Sequence, residues 1–234
     1  MIKRKLNDLF FPPRCALCDE AVLPDEGNIC SECRMKLSYI EEPYCLKCGK
    51  ALREEKEYCR DCSVRMHYFK RGVSVFDYGS ISDSLYRFKN RGRAEYASFY
   101  AREIVKKRGG FIRHVNPDIL IPVPIHRSKL LKRGYDQSLV LCKEISHLTK
   151  IPFRTDVVIR DKKTVPLKDL GLAERQNNLN KAFKIGADDV KLKTIMIVDD
   201  IYTTGSTIDE ISRTLLGRFP CEIYFITLTS GRGI

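Results

Sequence analysis

The chain has 234 residues, 43% of them hydrophobic and 31% charged, with a formal net charge of +12. That length holds one or two domains with a proper core, and no apolar run reaches the roughly 18–20 residues that cross a bilayer, so membrane insertion is not expected. The basic start is interrupted at Asn7-Asp8 and closed by Pro12-Pro13, unlike a secretory signal, which predicts a cytoplasmic setting. Leu6, Leu9, Phe10 and Phe11 read as a short helix lying on its own protein.

Eight cysteines follow in four C-x-x-C pairs: Cys15/Cys18, Cys30/Cys33, Cys45/Cys48 and Cys59/Cys62. Two such turns bring four thiolates to one tetrahedral ion, so eight ligands suit two closed structural zinc sites with no open catalytic position. Disulfides need an oxidising compartment that nothing here indicates. An iron–sulfur cluster is the chemical alternative, although evenly spaced pairs on short hairpins suit zinc better. Sequential ribbons, joining the first pair to the second and the third to the fourth, are the favoured pairing; a cross-brace joining first to third is the alternative. Gly49 suits the tight turn of a zinc knuckle. Cys142 and Cys221 stand far away in apolar settings and read as core residues. This segment, residues 1–66, holds 12 Lys/Arg and 12 Asp/Glu, whereas residues 67–234 hold 30 and 18. The entire positive excess therefore lies in the second part, consistent with a polyanionic partner.

From residue 67 the pattern alternates. Residues 73–78 read as a strand, 80–90 as a helix, and 94–107 as a helix ended by Gly109-Gly110. A buried strand is expected at 119–123, a helix at 138–148 and a short strand at 157–159. An apolar strand at 195–198, a helix through Leu216 and a strand at 222–228 complete the series. Strands alternating with helices predict a parallel sheet covered on both faces, with ligands beyond the strands' carboxyl ends. Residues 122–138 leave one strand with Pro122, Pro124 and His126, a basic run (Arg127, Lys129, Lys132, Arg133), then Gly134 and Tyr135 before a helix. Arg133 reads as an anion-site residue; His126 is divided between that role and a structural imidazole. Residues 160–183 read as a polar, glycine-broken lid with a helix at 173–179.

The densest signal is residues 195–207, IMIVDDIYTTGST. A β-branched strand delivers Asp199 and Asp200, and a hydroxyl-rich turn then opens a helix. Such a turn presents free N–H groups and a positive dipole end to an anion. Acids beside a phosphate cradle would repel a bare phosphate, so they call for sugar hydroxyls or a divalent cation. A second polar feature is residues 86–93, YRFKNRGR, where aromatics alternate with cations as in single-strand binding surfaces. An amphipathic helix burying Leu85 and Phe88 is the alternative, and it accounts for the rings better than for the arginines.

The segment 199–207 resembles the phosphoribosyl pyrophosphate (PRPP) motif of type I phosphoribosyltransferases. That resemblance implies that Asp199 and Asp200 hold the ribose hydroxyls at the catalytic centre, that Thr203, Thr204, Gly205, Ser206 and Thr207 wrap the 5′-phosphate, and that Arg133 and Lys89 assist. The four C-x-x-C pairs, Lys89 to Gly92, PVPIH, Arg133 to Gln137, Thr164 with Glu174, Arg175 and Asn178, and VDDIYTTGST together resemble, over nearly the full length, the ComF family of double-zinc-ribbon, phosphoribosyltransferase-like proteins linked to DNA uptake. Leu167 stands where that family commonly has Gln. The resemblance implies a double zinc ribbon at 1–66 and an α/β type I phosphoribosyltransferase-like domain at 67–234. It also implies Mg²⁺-PRPP as ligand, single-stranded DNA as partner and contact with DNA-uptake machinery, while the aromatic–cationic run itself offers Lys89, Arg91 and Arg93 as nucleic-acid candidates. The alternative is a working phosphoribosyltransferase of nucleotide metabolism; no acceptor pocket is legible, and turnover is left open.

Overall fold

The computed structural model describes residues 12–22, 28–160, 182–188 and 192–231. The expected N-terminal helix at Leu6–Phe11 and the lid residues Thr164, Leu167, Glu174, Arg175 and Asn178 lie outside them.

The cysteine-rich part is an internal repeat. In each copy a short antiparallel bridge, Arg14↔Ala21 or Tyr44↔Ala51, closes the first knuckle. The same backbone bonds recur thirty positions apart: Cys15 N–H to Glu20 O and Cys45 N–H to Lys50 O, both 2.8 Å. The second knuckle of each copy opens a helix, α1 (Ser31–Lys36) capped by Cys30 and α2 (Arg60–Val64) capped by Cys59. Gly49 takes φ +72°, and a Cβ there would fall 2.5 Å from the Val73 Cα. The second ribbon thus lies directly against the first strand of the sheet, where only glycine fits.

That sheet has four parallel strands, β1 (Arg71–Phe76), β2 (Ile119–Pro122), β5 (Thr194–Tyr202) and β6 (Glu222–Ser230), in the order β1-β6-β5-β2. Along β5 the side chains alternate faces, as the pleat requires. Met196 and Val198 join a core with α4 (Tyr96–Val115) and α6 (Gln137–Thr149), while Ile195 and Ile197 join one with α7 (Ser206–Leu216). Helix α7 is held in place by Ile208, Ile211 and Leu215, all buried on one face. Each such fully buried side chain contributes about 1.5–3 kcal/mol. The first cysteine cluster belongs to the α4/α6 core and the second to the α7 core, so the ribbons clasp opposite faces of the sheet.

Helix α3 (Tyr78–Asn90) follows β1, and α5 (Arg127–Arg133) follows β2. Two expectations are corrected. Helix α4 does not stop at Gly109-Gly110 but continues to Val115. Each glycine costs about 1 kcal/mol in a helix, which burial of Ile112 and part of Phe111 offsets, and Asn116 ends the helix in the left-handed conformation at φ 46°. The short strand near residue 158 is β3 (Val158–Arg160), which pairs antiparallel with β4 (Phe183–Ile185) outside the main sheet. Helix α5 was hidden because its basic run carries little apolar periodicity. No described helix is long and apolar enough to cross a membrane.

Candidate functional site

All four strands of the main sheet point the same way, so their carboxyl ends form one edge. Strand β5 runs past its apolar half and carries Asp199 and Asp200 within it. Asp200 is buried and pairs with Lys89 Nζ at 2.9 Å. Lys89 reaches it from the last turn of α3. Asp199 Oδ1 accepts from Ser138 Oγ and from the Asp200 N–H, both at 2.9 Å. Burial, then the neighbouring Asp200 charge, raises the Asp199 carboxyl from 3.8 to about 7, against Lys89 and Ser138. Among the described residues Lys89 makes the direct ion pair with these two adjacent carboxylates, whose mutual repulsion keeps Asp199 raised.

Immediately beyond, Thr203, Thr204 and Gly205 turn the chain into α7. Gly205 caps the helix at φ +79°, and a Cβ there would lie 2.5 Å from the buried Tyr202 hydroxyl. Thr204 and Ser206 hydroxyls bond at 2.9 Å. A small cleft runs along Asp199, Ile201 to Thr207 and Ile208, so Asp199 and every residue of the hydroxyl loop share it. The free N–H groups of the first turn of α7 supply the electropositive end.

Cations converge on the acids. Arg133 donates to Gln137 Oε1 at 2.6 Å from the end of α5. Lys129 on the same helix is held below the usual lysine range by desolvation and by Arg160, Arg133 and Lys89, with Asp200 opposing. Arg160 on β3 is likewise lowered by burial, with Asp199 opposing. Lys129 was singled out in sequence only as part of the basic run, and Arg160 was not singled out, because only the fold brings it back toward β5. Asp136, half-buried and raised by desolvation, accepts from Leu139 N–H at 3.1 Å and Ile125 N–H at 3.3 Å, tying the loop after β2 to α6. His126 caps α5, its Nδ1 accepting from Ser128 N–H at 3.1 Å, which is the structural role.

The aromatic–cationic run divides. Phe88 is fully buried in the core, whereas Tyr86 is exposed. Lys89 belongs to the acid pair. Arg91 is exposed beside Tyr86, 6.0 Å from its ring centre. Arg93 pairs with Asp19 of the first ribbon at 2.7 Å, and Tyr96 hydroxyl donates to the same carboxylate at 2.6 Å. The Ser84 hydroxyl and the Arg87 guanidinium bond the carbonyls of Ala16 and Leu17 beside Cys15 and Cys18. The first ribbon thus holds α3, the helix that delivers Lys89.

Cys15, Cys18, Cys30 and Cys33 form one cluster and Cys45, Cys48, Cys59 and Cys62 the other, the sulfurs of each within 4.8 Å of one another. The pairing is therefore sequential. Zn–S bonds of about 2.3 Å set tetrahedral vertices about 3.8 Å apart, and Cys18–Cys30 and Cys48–Cys59 stand at 3.9 and 3.7 Å. In the second cluster, mutual hydrogen bonding drives Cys45 far below and Cys62 far above the usual thiol range. Four thiols so crowded ionise together only around a cation. Both sites have the donors and spacing of structural zinc.

Fold and site define a double zinc ribbon joined to a phosphoribosyltransferase domain. Residues 6–63 match the family model "Double zinc ribbon domain" and residues 138–233 "Phosphoribosyl transferase domain". The chain is 28% identical to "Competence protein F" of Haemophilus influenzae, covering 88% of this chain and 92% of that one. It is 28% identical to "DNA utilization protein YhgH" of Escherichia coli K12, over 89% and 92% of the two chains, and 28% identical to "Competence protein ComFC" of Bacillus subtilis, over 86% and 88%. Among solved structures, a purine phosphoribosyltransferase from Pyrococcus horikoshii aligns with 57% of this chain and 84% of its own at 16% identity and a TM-score of 0.35. The chain therefore carries both matched domains and is similar over most of its length to proteins named for competence and DNA utilisation.

Proposed function

We propose that this chain binds Mg²⁺-PRPP at the carboxyl edge of its sheet and serves DNA uptake in the cytoplasm by handling single-stranded DNA. The observation that carries the reading is the Asp199–Asp200 pair, countered by Lys89, beside the cleft of the 203–207 loop. The two acids suit the ribose hydroxyls. The loop, with the N–H groups that open α7, suits the 5′-phosphate. Lys89, Lys129, Arg133 and Arg160 bring positive charge around the acids, fitting a Mg²⁺-pyrophosphate group that no single phosphate would require. Mg²⁺ would neutralise the diphosphate while the protein orients the sugar.

The DNA part rests on the relatives, which are named for competence and DNA utilisation, and on the positive excess of residues 67–234. Contacts with proteins of an uptake machine follow from that role. The two metal sites act as clasps for the sheet, which fits a closed structural set rather than a catalytic one. The second reading is a turning-over phosphoribosyltransferase, favoured by the intact acid pair and loop.

Two assays separate these readings. Pyrophosphate release from Mg²⁺-PRPP in the presence of candidate bases would establish turnover. Binding of a labelled single-stranded oligonucleotide should weaken steeply with salt, with a logarithmic slope of about 0.7 per neutralised phosphate. A flat salt response with measurable turnover would replace the DNA-handling reading by the enzymatic one.

A further inference from the structure

One buried contact chain runs from the second cysteine cluster to the helix that follows the phosphate loop. The His67 side chain is fully buried between them. Its Nε2 lies 3.5 Å from Cys62 Sγ, and its Nδ1 lies 2.7 Å from Asp209 Oδ2. A carboxylate only accepts, so Nδ1 carries the hydrogen. The next residue adds a second donor, Tyr68 N–H to Asp209 Oδ1 at 3.1 Å. Both oxygens of Asp209 are therefore held by the segment that leaves the second ribbon.

Asp209 occupies the first turn of α7, and its own N–H bonds the Gly205 carbonyl at 2.8 Å. Fixing Asp209 thus fixes the turn whose free amides face the cleft. An aromatic contact reinforces the link. His67 stacks on Phe69 at 4.7 Å, and Phe69 meets the edge of Tyr202 at 6.3 Å, the residue against which Gly205 is pressed. A loop aimed at an anion gains affinity when its N–H groups are held in place before the ligand arrives.

We propose that His67 is a positioning residue that couples the second four-cysteine site to the 203–207 loop, so that loading of that site with metal sets the loop's order and its affinity for a ribose 5-phosphate group. The first four-cysteine site has no such link among the described residues; its segment contacts α3, Arg93 in the loop after it, and α4. The claim about affinity rests on the PRPP reading above, whereas the claim about loop order does not.

The test uses the full-length, zinc-loaded chain with His67→Phe, which keeps a ring against Phe69 and removes both polar contacts. Asp209→Asn, which keeps the shape and drops the charge, is the second variant. Arg102→Ala, which breaks an exposed bond from α4 to Asn28 of the first ribbon, is the control. Metal content, global melting and local amide exchange are read together. Exchange of the Asp209 amide, the one bonded to the Gly205 carbonyl, should accelerate at least about tenfold in His67→Phe, equivalent to ~1.4 kcal/mol, with two zinc per chain retained and residues 195–198 unchanged. Mg²⁺-PRPP should bind about tenfold more weakly, Asp209→Asn should move the same way, and Arg102→Ala should move neither. A ring that only filled space would lower the melting temperature without singling out the loop. Unchanged loop exchange in both variants, whether or not zinc is retained, would overturn the coupling. If the wild-type chain bound no PRPP, the function proposed above would fall, and loop exchange would still decide whether His67 couples the two sites.

Discussion

Replacing Asp199 by Asn should stabilise the protein while disabling its cleft. Asp199 Oδ1 accepts two hydrogen bonds, from Ser138 Oγ and from the Asp200 N–H. An amide oxygen accepts both, so the substitution removes charge with little loss of bonding. Burial and the adjacent carboxylate lift the Asp199 carboxyl from 3.8 to about 7. At about 1.36 kcal/mol per pKa unit, that lift sets a ceiling of about 4 kcal/mol. Residual exposure of the cleft and the high effective dielectric of such sites bring the expected gain to about 1–3 kcal/mol. The sign follows from proton counting. Between about pH 4 and 7 the folded state keeps a proton that the unfolded chain has lost, so wild-type stability falls as pH rises through that window and levels off above it. The Asn variant lacks this fall. Urea unfolding at pH 5, 6.5 and 8 should show an advantage for the variant that is largest at pH 8 and less than half as large at pH 5. A variant equal to or less stable than wild type at pH 8, or a difference independent of pH, would refute the assignment of Asp199 as a strained, charge-crowded carboxylate.

Other substitutions probe the remaining parts of the site. Cys48→Ser should lower metal content from two zinc to one per chain by atomic absorption, with a fall in melting temperature, whereas Cys142→Ser, buried in the α4/α6 core, should keep both. Lys89→Ala should weaken Mg²⁺-PRPP binding by at least about tenfold, since it leaves Asp200 buried without its partner, a loss of ~1.4 kcal/mol or more by calorimetry. Arg91→Ala should flatten the oligonucleotide salt slope by about 0.7 without changing stability, while Arg93→Ala should also lower the melting temperature, because it releases Asp19 of the first ribbon. Gly205→Ala should cost about 1–3 kcal/mol through left-handed strain and a methyl pressed on the Tyr202 hydroxyl, and it should abolish ligand binding.

Sequence revealed those parts of the molecule whose determinants are local. The strand, acids and hydroxyl loop of 195–207 form one uninterrupted segment, so the cleft that Asp199 and the loop line was legible from spacing alone. The four C-x-x-C pairs were equally plain, and the sequential pairing follows from knuckles that close within hairpins of ten or eleven residues. What stayed hidden was long-range. Nothing in the local pattern of His67 marks it as the partner of Asp209, 142 positions away. Arg160 joined the site only because β3 turns back beside β4 rather than entering the main sheet. Arg93, read as a nucleic-acid candidate, is engaged by Asp19, 74 positions earlier. The thirty-residue repeat of the ribbons is conspicuous in backbone bonding but faint in side chains, because only the cysteines and the turn geometry need to recur.

The central claim is that Asp199 and Asp200, with the loop beside them, form a PRPP site. Titration calorimetry of Mg²⁺-PRPP against the wild-type chain and against the Asp199→Ala, Asp200→Ala double variant tests it most directly. The account predicts saturable, Mg²⁺-dependent, one-to-one binding to the wild type, and loss of that binding in a double variant that keeps two zinc ions and a cooperative melt. Equal affinity in the two folded proteins, or no binding to the wild type at millimolar ligand, would contradict it.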